Sequence, residues 1–166
     1  MPDLQIVPAD KVARIVGVYT HVQWPLSIES VDEVADALGW TRIADPRRIN
    51  VVPDFQVSHP NTTFLNEDGV VKLIECWVCD AYRGEDPQPL KAAYQSVRAA
   101  VVSVLGKPGS SRSGDSWWDL ETGGRIHVIG RGIVMKLQLL SKEYADIERG
   151  EVRYGISPDR VLGQDE

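Results

Sequence analysis

Cysteine is scarce in this chain: two in 166 residues, Cys76 and Cys79, both inside one apolar run. So low a count excludes a disulfide-stapled scaffold, and a chain of this length buries an adequate core without staples or metal. Two cysteines in one strand agree with a reducing compartment. Long apolar runs are missing too. Nothing approaches the roughly 18–20 residues of a membrane span, and Asp3, Asp10, Lys11 and Arg14 interrupt the start, where a secretion leader needs its apolar segment. The expected location is the cytoplasm, with no membrane partner. Positive charge is in deficit, with 18 Lys and Arg against 24 Asp and Glu, a net charge of -6. That argues against a nucleic-acid partner, because binding the phosphate backbone requires clustered cations. Histidine is sparse as well. His21, His59 and His127 are scattered without metal-ligand spacing, so neither a metal site nor a cofactor is expected.

What is present is ordinary globular usage, 43% hydrophobic and 25% charged with a mean hydropathy of -0.20, which reads as one domain over residues 1–162 and a flexible tail at 163–166. The longest strand-like stretch is 70–82, VVKLIECWVCDAY, entered from a turn signal at Asp68-Gly69. Its alternate faces are Val71, Leu73, Glu75, Trp77, Cys79 and Val70, Lys72, Ile74, Cys76, Val78. Both are mostly apolar, which predicts a central strand packed on either side.

Around it, Val12, Ile15, Val16, Tyr19 and Val22 recur at helical spacing over 8–22. Trp24-Pro25 breaks that helix. A second follows, capped by Ser27 or by Ser30 with Glu33 in a capping box, burying Ile28, Val31, Val34 or Ala35, and Leu38, and ending at Gly39 in a left-handed cap with Trp40 folding back. Short strands are expected at 48–52, 55–58 and 62–65. The clearest helix carries Leu90, Tyr94, Val97, Val101, and Val104 with Leu105, and stops at Gly106 and Pro108. Residues 106–116, GKPGSSRSGDS, read as a mobile surface loop. Strands at 117–121, 125–129 and 133–140 follow with turns short enough to force antiparallel neighbours. A last helix over 141–149 would face Tyr144 and Ile147 inward. The order predicts an α+β fold: an antiparallel sheet of about five to six strands with two to four helices packed mainly on one face.

The candidate chemistry is thin. Cys76-Trp77-Val78-Cys79 spells a redox or zinc motif, but within a strand positions three apart point to opposite faces, so two buried structural thiols are favoured. His127 beside Arg125 would need an orienting carboxylate to act as a base. The glycines at 123–124 and 130–132 match neither phosphate-loop pattern and read as hairpin turns. The serines of 110–113 lack a nucleophile elbow. An enzyme is therefore not expected. Trp117-Trp118 places one ring in the core and the other on the second sheet face, where it could anchor an interface, although both could be covered by the domain itself.

Trp24-Pro25, the helix ending Leu38-Gly39-Trp40, the Asp68-Gly69 turn into a long strand, and Trp117-Trp118 followed by Gly123-Gly124 and IVMKLQLL together resemble a family of small actinobacterial domains of unknown function. That family includes or is similar to the mycobacterial immunity factor for tuberculosis necrotizing toxin, a secreted NAD glycohydrolase. The resemblance implies a cytoplasmic antitoxin that binds its cognate toxin one to one and covers the active site without catalysis of its own. Protruding loops suit such blocking, which nominates Asn66, Glu67, Asp68 and Gly69, and Ser110, Ser111, Arg112, Ser113, Gly114 and Asp115, with Trp118 as an aromatic anchor. A secretion-type chaperone or a protein-binding adaptor without inhibitory role is the alternative.

Overall fold

The computed structural model describes residues 4–43, 49–57, 62–112 and 114–153. His59, Ser113, the outer ends of the strands expected at 48–52 and 55–58, and the tail 163–166 lie outside them. The fold is α+β, built on one antiparallel sheet. Its strands are β1 (Leu26–Ser27), β2 (Thr41–Ile43), β3 (Ile49–Val52), β4 (Thr62–Glu67), β5 (Val70–Trp77), β6 (Ser110–Arg112), β7 (Asp115–Asp119), β8 (Arg125–Ile129) and β9 (Lys136–Leu140). The helices are α1 (Ala9–Tyr19), α2 (Val31–Leu38), α3 (Gln88–Leu105) and α4 (Lys142–Arg153). Among the described residues the sheet thus has nine strands, more than the five to six expected. The surplus comes from β1, β2 and β6, each two or three residues long and joined by backbone pairing, without an alternating apolar pattern to announce them.

Strand order is β2-β3-β4-β5-β9-β8-β7-β6, with β1 pairing on β5 outside that path. One line of paired residues crosses six strands: Ile49 to Phe64, Phe64 to Ile74, Ile74 to Leu139, Leu139 to Ile126 and Ile126 to Trp118. All six are buried, in one core with Val12, Ile15, Val16 and Tyr19 of α1 and Leu90, Tyr94, Val97 and Val101 of α3. Each apolar side chain so enclosed contributes about 1.5–3 kcal/mol relative to exposure. Leu140 and Ala145 are also buried but stand outside that core, because α4 packs on the opposite face. Both faces of β5 are covered in part, as its sequence predicts.

The local signals explain most element ends. Gly39 takes φ 75° and closes α2, and the Trp40 amide folds back onto the Ala35 carbonyl at 2.9 Å. The expected capping box at Ser30 does not form. A 3-10 turn, Ile28–Ser30, precedes α2, and the Ser27 hydroxyl donates to that of Ser30 at 3.2 Å. Residues 55–57 are not strand. Phe55 is instead drawn into the core, edge-on to Trp40 at 6.0 Å. Residues 133–135 are not strand, and β9 begins at Lys136.

The 106–116 stretch departs most from expectation. It is a hairpin, with Ser110, Ser111 and Arg112 paired to Trp117, Ser116 and Asp115. Gly114 takes φ 79° at its tip, and Asp115 is 1% exposed. A polar segment becomes ordered here through backbone pairing at a sheet edge. In the last helix Ile147 is 52% exposed rather than inward, since Ala145 occupies the inward position.

Phe64 stands in the middle of the buried line. Phe64→Ala is expected to lower unfolding stability by about 3–5 kcal/mol, read from urea melts as a fall in midpoint with unchanged slope.

Candidate functional site

The edge of β5 is shared by two partners. Leu26 and Ser27 of β1 pair with Val71 and Val70, whereas β9 pairs from Leu73 onward. Between these, the Lys72 carbonyl accepts the Ser141 amide at 2.9 Å as the chain turns into α4. The two partners diverge at this fork and leave a recess of about 560 Å³. Its walls are Trp24 and Pro25 before β1, Val70 and Val71 at the start of β5, and Ile147 of α4. Lys72, Glu143 and Asp146 rim it. Mostly apolar recesses of this size with a few polar groups at the mouth are typical of binding sites.

Charge rather than apolar area holds the α4 wall. Arg125, 5% exposed on β8, meets Asp119 at 2.9 Å and Glu148 of α4 at 2.8 Å. Arg149 bridges Asp119 and Asp146, both at 2.7 Å, and donates to the Gly123 carbonyl at 2.9 Å. Lys72 pairs with Glu143 at the rim. The Tyr144 hydroxyl donates to Glu67 at 2.8 Å; burial and the neighbouring Glu67 carboxylate raise its pKa, so it keeps that proton.

The 66–69 turn lies beside this recess. Asn66 is half-buried, and Glu67 and Asp68 are exposed. Asp68 holds φ 52°, a left-handed conformation tolerated by Asp. The Gly69 carbonyl accepts the Ile28 amide at 3.1 Å, fixing the turn to the segment after β1. Ser110, Ser111, Arg112, Gly114 and Asp115 lie on or beside β6, four strands from β5, so the structure does not bring the two nominated clusters together. Asp115 is buried and ion-paired with Arg131 at 2.8 Å. Trp118 is 3% exposed, with its indole N–H donating to the Gly106 carbonyl at 2.9 Å. It is a core residue and cannot serve as an exposed anchor. Its neighbour Trp117 takes the second face, half-buried and edge-on to His127 at 5.6 Å.

That second face carries a polar and aromatic line, Thr63, Glu75, Gln138, His127, Trp117 and Ser110, in register across the sheet. The Gln138 amide donates to Glu75 at 2.5 Å, and Lys136 also approaches Glu75 at 3.5 Å. Cys76 and Cys79 are both buried; desolvation pushes the Cys76 thiol up to about 12 and raises Cys79 as well, so both stay protonated near neutrality. Among the described residues, no group of three or more His, Cys, Asp or Glu is arranged to hold a metal, and no helix is long and apolar enough to cross a membrane.

Sequence reasoning named the turn but missed the recess. Its walls, Trp24-Pro25, Val70-Val71 and Ile147, come from three distant parts of the chain; the sequence marks each part, but nothing in it places them side by side.

Fold and site together define an antiparallel α+β domain with an apolar recess at a strand fork, flanked by an acidic turn. The chain belongs to the family of unknown function DUF6301, whose model matches residues 10–141. No curated protein and no solved structure matches it. The matched span takes in the β-strand walls of the recess and stops as α4 begins.

The charge network makes the α4 wall sensitive to acid. Burial raises the pKa of Asp119, but the Arg125 and Arg149 guanidiniums outweigh it and hold the carboxyl below its ordinary value. A depressed folded pKa contributes stability that is present above the unfolded value and lost as pH falls through the folded one. Asp119→Asn is therefore expected to be less stable than the wild type near pH 7, by no more than about 1 kcal/mol for so exposed a carboxylate. The gap should close below about pH 4, which paired denaturant melts at the two pH values would read.

Proposed function

We propose that this domain is a non-catalytic binding protein of the cytoplasm, an antitoxin or immunity protein that holds a secreted NAD-glycohydrolase-type toxin one to one and covers its active site. The observation that supports a binding role is the apolar recess at the β1–β9 fork with the exposed Glu67-Asp68 turn beside it. A recess of this kind accepts an apolar side chain from a partner, where desolvation gives the largest energy per residue. Exposed carboxylates beside it, on a chain of net charge -6, speed encounter with a basic partner surface. The choice of toxin class rests on the resemblance carried by Trp24-Pro25, Leu38-Gly39-Trp40 and Trp117-Trp118.

Capture on the tagged chain from lysate and culture filtrate tests this reading, with Ile147→Asp and Glu67→Lys as comparison baits. The expected result is a stoichiometric partner that hydrolyses NAD only after release from the complex and refolding, and whose capture drops about tenfold on the Ile147→Asp bait. A stoichiometric partner without NAD hydrolysis would instead support the adaptor or chaperone reading. Absence of any partner would overturn both.

A further inference from the structure

A second cavity lies away from the recess, where α3 faces two turns, one at Gly114 and one at 130–132. It measures about 470 Å³, within the usual range for small-molecule sites. Lys91, Gln95 and Arg98 stand at four- and three-residue steps on α3 and so share one helix face. Arg131 closes the cleft from the opposite side, and Ser111 of β6 adds a hydroxyl. The two turns come close because they carry glycine. A Cβ at Gly130 would sit 2.7 Å from the Tyr94 ring, and one at Gly114 would sit 3.1 Å from Arg131 Cγ.

The cations are held in place. The Ser116 hydroxyl, fully buried, meets the Tyr94 hydroxyl at 2.6 Å and accepts from Arg98 Nε at 3.1 Å, which fixes the guanidinium on the cleft wall. Buried Asp115 holds Arg131 at 2.8 Å. Among the described residues Lys91 and Arg98 are ion-paired with no carboxylate. Among the described residues, three cations therefore line the cleft with one buried carboxylate behind them, on a protein whose net charge is -6. A local excess of positive charge in a concave site attracts an anion, and planar guanidiniums match phosphate oxygens.

We propose that this cleft, lined by Lys91, Arg98 and Arg131 around Ser111 and Gly114, binds a phosphate-bearing small molecule. The site is independent of the partner reading above, and it gives Ser111 and Gly114 a role other than toxin contact. Titration of the full chain with inorganic pyrophosphate at constant ionic strength, followed through the backbone amide signals of Gly114 and Gly130, tests it. Saturable shifts are expected, with binding about tenfold weaker in Lys91→Gln and in Arg98→Gln, the loss of one charge-assisted contact. Lys91 is exposed on the helix, so its variant keeps the test decisive if Arg98→Gln disturbs Ser116. No saturable response, or binding unchanged in Lys91→Gln, would overturn the proposal. Succinate binding as tightly as pyrophosphate would also overturn it and assign the cleft to carboxylates of a protein partner.

Discussion

A single line of buried side chains, Ile49, Phe64, Ile74, Leu139, Ile126 and Trp118, ties the register of six strands together. Because strand side chains alternate, a slip of one residue anywhere along it would turn an apolar side chain away from α1 and α3 and bring its polar neighbour beneath them. The register that satisfies this line also fixes the opposite face, where Glu75, Gln138, His127 and Trp117 fall into a row. It places β9 on β5 only from Leu73 onward, leaving Val70 and Val71 to β1. The recess therefore follows from how the core is paired.

The two faces are stabilised differently. Under α1 and α3 the contacts are apolar and continuous. On the other face α4 contributes buried Ala145 and otherwise reaches the sheet mainly through Arg125, Asp119, Arg149 and Lys72. Ion pairs with partly exposed partners are worth little individually, and a network has to act together to hold a helix. One wall of the recess is thus held mainly by ion pairs and the other by apolar packing. The register shift between Leu65 and Asn66 lies in the same region, next to the acidic turn.

Much of this architecture was legible in the sequence wherever periodicity was strong. The helix over 88–105, the strand 125–129 and the Asp68-Gly69 turn follow from spacing and turn chemistry alone. Edge strands β2 and β6 were not legible, since pairing by backbone needs no apolar alternation, and a run of Gly and Ser then reads as loop. Trp118 was named as an anchor because adjacent tryptophans must face opposite ways; which one faces inward depends on Ile126, across the strand pair. Both cavities draw on residues remote in sequence. The cationic one left a trace in Lys91, Gln95 and Arg98 at helical spacing beside the apolar stripe, a polar face that by itself looks like a solvated one.

The proposed partner contact centres on the strand fork, with the acidic turn on one side and α4 on the other. Hydrogen–deuterium exchange of the chain, free and in complex with its captured partner, tests that claim most directly. Slower exchange concentrated in residues 66–72 and 141–147 is the predicted result. Unchanged exchange there, with protection confined to β2 and β3 at the other sheet edge, would contradict it.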